Sequence, residues 1–179
     1  MRVLQRHRVL FRCLVASVLV SVAPQLAAPL HAQFPMTNGS QHALVLQAGQ
    51  WYADVDGMVV GAIRTERPLG HTGRWLFVPG VTYAHYALRS PVPEVDLLAP
   101  EALVHLQLAR GWIRPYVGGG AGIVLLNMFH TVDPVLSLGA GLRADLTSQW
   151  GARLELETRA FGQFNAASVG WSFGLARHF

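Results

Sequence analysis

From residue 43 to the C terminus the chain repeats one pattern, in which apolar and polar residues alternate along one segment after another. The clearest segment is LSLGAGLRADL at 136–146, where leucine or alanine occupies every even position and Arg143 and Asp145 occupy odd ones. The segment WGARLELETRAF at 150–161 repeats this order, with Glu155 flanked by two leucines. Because successive side chains of a strand point to opposite faces, a period of two predicts strands with one apolar and one polar face.

The alternation predicts eight strands and no convincing helix after residue 33. Each predicted strand is longer than a typical globular strand of about 5–6 residues and close to the roughly 9–11 residues that cross a bilayer at a tilt. The predicted fold class is therefore all-β: an eight-stranded antiparallel up-and-down transmembrane β-barrel that follows a cleaved signal peptide. The predicted strands cover residues 43–53, 57–66, 73–86, 101–110, 113–125, 134–146, 150–161 and 168–179.

The connections between predicted strands are mostly short and long in turn, as in barrels with tight periplasmic turns and longer external loops. Little more than Gly111 and Trp112 separates strands four and five, whereas SPVPEVDLLAP separates strands three and four. The first hairpin departs from this order, because its outer connection at 54–57 is short and the next inner turn, RPLGHTG, is longer. The first three segments alternate less cleanly, so their inward faces stay unassigned, and Pro79 predicts a bulge or a distorted position.

The charged residues fit a membrane barrel, although the alternation by itself permits a soluble one, and the tryptophans and the final Phe179 favour the membrane. In hydrocarbon every backbone polar group must be paired internally, so spanning strands must close, with one face in lipid and the other in the lumen. A soluble lipocalin-like carrier is the alternative, with the leucines inside and the charges in water. Tryptophans at segment ends predict aromatic girdles, with Trp75, Trp112 and Trp150 on the periplasmic side and Trp51 near the other. The polar faces of strands five to seven carry Arg114, Arg143, Asp145, Arg153, Glu155, Glu157 and Arg159.

Residues 1–32 have the order of a secretory signal peptide. Four arginines in the first twelve residues precede an apolar run that contains the only cysteine, Cys13. This run is too short for a membrane-spanning helix. Cleavage is predicted after Ala32, which leaves a linker at 33–42 and the barrel at 43–179. The mature chain then has ten arginines, no lysine and ten acids, and so lacks the clustered basic surface expected of a nucleic-acid-binding protein.

Two stretches resemble known sequences. The last strand, VGWSFGLARHF at 169–179, is similar to the terminal signature of bacterial outer-membrane barrels, in which a final phenylalanine is read by the insertion machinery. The segment IRPYVGGGAGI at 113–123 resembles a strand of the outer-membrane β-barrel domain family, the small OmpA- and OmpX-like barrels. Arg177 departs from the signature, which usually has an apolar residue there. The resemblance implies a monomer in the bacterial outer membrane, in contact with lipid and lipopolysaccharide, whose Phe179 contacts the insertion machinery.

The polar and glycine-rich positions are given structural roles. Gly118, Gly120 and Gly122 lie in the middle of a predicted strand, so they leave space in a narrow barrel rather than cradle a phosphate, which requires a helix after the loop. The lumen charges are expected to form a salt-bridge network, because an eight-stranded barrel is just wide enough for side chains. The alternative is a selectivity ring of a narrow pore. No catalytic, cofactor-binding or metal-ligating residue is predicted, and no cofactor.

The predicted function is non-enzymatic: a structural, adhesion or loop-binding role. The enzyme alternative is a lipid A deacylase, which uses a histidine and serine pair near the outer rim, and its candidate histidines are His85, His105 and His130. The expected motif, a histidine two residues before Ser-Asn, is absent, since the corresponding strand reads ELETRAFGQFNAAS. Asp133 and His130 could meet in one loop. The apolar character of SPVPEVDLLAP and LNMFHTVDP is compatible with partner contact or with packing over the barrel mouth.

Overall fold

The computed structural model describes residues 42–53, 56–86, 95–126, 131–162 and 166–179. These residues form eight strands, and among them no helix has the length and apolar character needed to cross a membrane. The predicted signal peptide and nearly all of the predicted linker lie outside the described residues. The strands are β1 (Ala43–Ala53), β2 (Asp56–Leu69), β3 (Trp75–Tyr86), β4 (Val95–Gln107), β5 (Ile113–Leu126), β6 (Thr131–Asp145), β7 (Trp150–Phe161) and β8 (Ala166–His178).

The eight strands close into one barrel in sequence order. Every strand pairs antiparallel with the next, and β1 pairs antiparallel with β8, from Ala43 opposite His178 to Tyr52 opposite Val169. Closure leaves no sheet edge, so the strand backbone finds its hydrogen-bond partners within the barrel. The predicted eight-stranded antiparallel up-and-down barrel is confirmed.

The barrel has the inside-out polarity that the alternation predicts. Leu138 and Leu156 face outward and are 65% and 62% exposed, whereas Arg153 and Glu155 face the lumen and are 2% and 3% exposed. A soluble carrier requires the reverse arrangement, with leucines in a central core. The described exterior therefore suits hydrocarbon.

Strand β4 begins at Val95, not at residue 101 as the sequence predicts. Leu97 and Ala99 point inward and are buried, while Leu98 faces outward. From Leu97 to Pro100 both faces are apolar, so the alternation that marks other strands is invisible there. Part of the expected external loop SPVPEVDLLAP is thus barrel wall. Strand β6 likewise begins earlier than predicted, at Thr131.

Pro79 interrupts the ladder between β2 and β3. Arg64 pairs with Gly80, and pairing resumes only where Arg67 lies opposite Phe77. Proline has no N–H to donate to a neighbouring strand, so the ladder breaks at this point. The distortion that the sequence predicts at Pro79 is confirmed.

Of the four tryptophans expected in the two girdles, only the three expected at the periplasmic end lie on the outer wall. Trp75 and Trp112 are exposed at the end of the barrel where β2 joins β3 and β4 joins β5, and Trp150 begins β7 at the same end. Trp51, expected at the opposite interface, lies inside the lumen and is 3% exposed. It occupies the same face of β1 as Gln47, which also points inward.

Candidate functional site

The lumen is the most densely charged part of the described barrel. Its residues come from strands on all sides, so ion pairs can form across the interior as well as between neighbouring strands. The seven charges predicted on the polar faces of strands five to seven all point inward, as expected. The buried charged residues are the arginines Arg64, Arg114, Arg143, Arg153 and Arg159 and the acids Glu66, Glu101, Asp133, Asp145, Glu155 and Glu157.

Arg64 of β2 crosses the lumen to three carboxylates. Its Nη1 donates to both oxygens of Glu155 at 2.9 and 3.1 Å. Its Nη2 reaches Glu101 Oε1 at 3.1 Å and Glu157 Oε2 at 3.3 Å. One guanidinium therefore ties β2 to β4 and β7, and each of these hydrogen bonds joins two ionised groups.

Glu66, two residues along the same strand, neutralises a row of arginines. Arg114, Arg143 and Arg153 lie directly opposite one another on β5, β6 and β7, an arrangement that alone is repulsive. Glu66 accepts from Arg143 Nε at 3.0 Å and, through both of its oxygens, from Arg153 Nε and Nη2 at 3.2 and 2.8 Å. Asp145 accepts from Arg114. The acids supply the opposite charge that buried arginines require.

Glu101 of β4 is a shared hydrogen-bond acceptor in the part of the network that lies next to Trp51. It accepts from Thr82 Oγ1 at 2.7 Å, from Arg159 Nη2 at 2.8 Å and from Arg64. The Arg159 guanidinium also lies 3.9 Å from the centre of the Trp51 ring. This contact is a cation–π interaction, and it joins the ionic network to the apolar layer above it.

The apolar layer fills the lumen near the external connections. Its members are buried and come from most of the strands, so this end of the described lumen is mainly apolar, with buried Asp133 opposite Val124 as a charged residue within it. The cluster comprises Trp51, Met58, Val60, Ala84, Leu97, Ala99, Val124, Val135 and Phe161.

His105 and Tyr116 form a stacked pair within the network. Their ring centres are 4.7 Å apart, Arg143 Nη2 lies 2.6 Å from His105 Nδ1, and the Tyr116 hydroxyl donates to Glu155 at 2.8 Å. Gly118 makes this packing possible, because a Cβ atom there would lie 2.3 Å from the His105 ring. The spacing role predicted for this glycine is confirmed.

Side chains fill the central lumen. The region lined by Gln47, Arg64, Glu66, Tyr116 and Glu155 has no space for a water molecule. The carboxylates of Glu66, Glu101 and Glu155 each accept from at least two donors in this region. The arrangement braces the barrel wall from within.

Four acids and bases of this network were not assigned from the sequence. Arg64 and Glu66 stand two residues apart in GAIRTERPL, and Glu101 and His105 stand four apart in EALVH. Both spacings place the pair on one face of a strand. The irregular alternation of the first three segments concealed this signal in β2, whereas in the fourth predicted strand it was present and was not used. Asp133, which was expected in a loop beside His130, is a buried residue of β6.

The three candidate histidines have different surroundings. His105 belongs to the lumen network, and His130 lies outside the described residues. His85 faces outward near the external end of β3, where its Nδ1 lies 2.9 Å from Asp96 Oδ1. The Tyr83 hydroxyl donates to the same oxygen at 2.6 Å. Within the described ranges, no hydrogen bond joins His85 to a serine or threonine, and no group of three or more histidines, cysteines or acids is arranged to hold a metal ion.

Solved structures of other proteins share this fold, although sequence comparison finds no relative. No family model matches the sequence, and no curated relative does. The solved structure of Neisserial surface protein A (NspA) matches with a TM-score of 0.62 at 14% identity, over 79% of this chain and 97% of NspA. The outer membrane enzyme PagL matches with a TM-score of 0.55 at 11% identity, over 75% of this chain and 97% of PagL.

A third match is the N-terminal β-barrel domain of Pseudomonas aeruginosa OprF, with a TM-score of 0.51 at 15% identity, over 76% of this chain and 97% of the domain. NspA and the OprF domain are small eight-stranded outer-membrane barrels. The chain has the fold of a small outer-membrane β-barrel. The likeness is one of fold, and the matches include both an enzyme and a surface protein.

Proposed function

We propose that this protein is a monomeric outer-membrane anchor whose lumen passes no solute and whose partners bind at its surface, in a structural, adhesive or loop-binding role. The observation that carries the proposal is the reach of Arg64 from β2 through the lumen to Glu101 on β4 and to Glu155 and Glu157 on β7. A pore needs a continuous water path, and a triply paired guanidinium across a narrow barrel obstructs one.

Support for the outer-membrane location comes from the apolar exterior, the signal-like residues 1–32 and the fold shared with outer-membrane barrels. Lipid and lipopolysaccharide are the proposed surroundings. The insertion machinery is the proposed partner of the C-terminal strand that ends in Phe179.

Single-channel recording tests the closed lumen. The protein, folded in detergent and shown to be inserted, is added to a planar lipid bilayer with a porin as positive control. We expect no stable conductance steps from the wild-type protein. The double substitution Arg64→Ala with Glu155→Ala removes the central brace and is expected to introduce steps. Reproducible steps from the wild-type protein would replace the anchor with a narrow pore.

Lipid A modification is a second candidate function, favoured by one observation. His85 is held by Asp96 on the outer wall near the external connections, a position from which an oriented histidine could serve as a base toward lipid. PagL, which shares the fold, is described as an outer membrane enzyme. The missing element among the described residues is a hydroxyl nucleophile bonded to His85.

Mass spectrometry of lipid A distinguishes the two candidates. We expect lipid A from a Gram-negative host that expresses the folded protein to keep its mass. A mass loss equal to an acyl chain, abolished by His85→Ala and kept by His105→Ala in a folded variant, would establish the enzyme instead.

A further inference from the structure

The charged side chains of the described residues occupy three places: the lumen, the outer wall near the connection of β3 and β4, and the outer wall at the opposite end of the barrel. Six acids face the lumen, and the one other acid whose side chain the structure describes, Asp96, faces outward near the external connection of β3 and β4. Five arginines face the lumen. The described arginines on the outer surface all lie near the end of the barrel where β2 joins β3, β4 joins β5 and β6 joins β7, and all are exposed: Arg67, Arg74, Arg110 and Arg177. No described acid accompanies them on that surface.

These four arginines stand beside the tryptophan girdle. Arg177 lies opposite Trp150 in the ladder, and its guanidinium is 5.3 Å from the centre of that ring. Arg67 lies opposite Phe77, two residues along β3 from Trp75. Tryptophan on the outer wall of a membrane barrel marks the depth of the lipid headgroups. The two strand arginines therefore reach the level at which phosphate groups lie.

The turns keep the other two arginines near the same level. Arg74 directly follows Gly73, and Arg110 directly precedes Gly111. Both glycines have positive φ, 60° and 128°, which side-chain-bearing residues rarely adopt. The chain thus reverses within a few residues, and Arg74 and Arg110 stay at the rim next to Trp75 and Trp112.

We propose that this basic rim, formed by Arg67, Arg74, Arg110 and Arg177, binds the headgroups of anionic glycerophospholipids such as phosphatidylglycerol. Arginine pairs with phosphate through two parallel N–H donors, and basic residues at a bilayer surface favour anionic lipid. A headgroup with its own ammonium would bring a positive charge to a rim that has no described acid to receive it. The exposed tryptophans favour lipid over a soluble acidic protein, since their rings lie on the wall that faces the membrane.

This inference rests on the proposed membrane location and adds a specific lipid to it. Tryptophan quenching by brominated lipid provides the test, because three of the five tryptophans lie at the rim. The full chain is reconstituted in phosphatidylcholine vesicles that contain equal fractions of either brominated phosphatidylglycerol or brominated phosphatidylcholine. We expect quenching by the anionic lipid to indicate an enrichment of about two-fold or more around the barrel at low salt, and less at high salt.

Two variants localise the effect. The combined substitution Arg67→Gln, Arg74→Gln, Arg110→Gln and Arg177→Gln is expected to equalise the quenching by the two lipids, while heat-modifiable gel migration shows that the barrel is still folded. Asp96→Asn alters charge at the opposite end and is expected to keep the preference. If the fourfold variant does not fold, the four single variants are measured, each with a partial loss expected.

The outcomes separate the two proposals. Equal quenching of the inserted wild-type protein by both lipids, or a preference kept by the fourfold variant, overturns the lipid site and leaves the anchor standing. Equal quenching together with salt-sensitive binding of polyglutamate would assign the rim to an acidic protein partner. A wild-type chain that does not insert at all contradicts the membrane location, and the lipid site with it.

Discussion

Glu66 is the residue on which the arginine row depends. It is the shared acceptor of Arg143 and Arg153, so its loss leaves like charges on adjacent strands without their common counter-charge. Removing one partner of a buried ion pair typically costs about 3–5 kcal/mol, because the remaining charge stays buried and uncompensated. The same carboxylate thus offsets repulsion and fixes the positions of two strands that lie across the lumen from it.

We expect Glu66→Gln to lower the free energy of unfolding by about 3–5 kcal/mol, measured by urea titration of the protein in detergent micelles or vesicles. In detergent micelles that contain no anionic lipid, Arg67→Gln is the matched control, one position along the same strand and facing outward, with an expected change within about 0.5 kcal/mol. Equal effects of the two substitutions would mean that the lumen network contributes little to stability.

At the scale of the strands, depth in the membrane determines how much a charged residue at an outward-facing position destabilises the barrel. Leu138 lies at the middle of β6, between Gly119 and Thr158 of the neighbouring strands, and Leu69 ends β2 opposite Trp75 at the girdle. We expect Leu138→Arg to destabilise the barrel in vesicles by about 2–4 kcal/mol and Leu69→Arg by about 0–1 kcal/mol, because charge is costly at the midplane and tolerated at the interface. Urea unfolding in vesicles measures both, and equal costs would argue against a bilayer around β6.

The strands also show what the sequence could predict. Strands β6 and β7 were predicted closely because leucines and charges occupy opposite faces along their whole length. The start of β4 was missed because its outward face meets lipid and its inward face meets the apolar layer, so no alternation remains to be read. The site was half predicted for the same reason: charges on strands with a clear period were assigned to the lumen, whereas Arg64, Glu66 and Glu101 on less regular strands were not. Which carboxylate pairs with which arginine depends on closure of the barrel, and no local pattern encodes it.

The whole molecule divides its stabilising interactions between two environments. Inside, charged and hydrogen-bonded side chains brace the wall, and their net contribution to folding is small because each charge must first leave water. Outside, most of the large apolar side chains point away from the barrel wall into its surroundings; Leu136 is 63% exposed and Leu138 is 65% exposed. The hydrophobic effect favours the closed barrel only when that exterior is removed from water by lipid or detergent.

Refolding should therefore depend on an amphiphile. We expect the chain from residue 33 onward, diluted from urea into detergent micelles, to yield a β-rich species whose gel migration changes on boiling. The same dilution into plain buffer is expected to give aggregate, because water would face exposed large apolar side chains on all eight strands, and extensive exposed apolar surface promotes aggregation. Circular dichroism and unboiled gels report both results. A monomer of native mobility formed without detergent would require a water-compatible exterior, which the orientation of Leu138 and Leu156 contradicts.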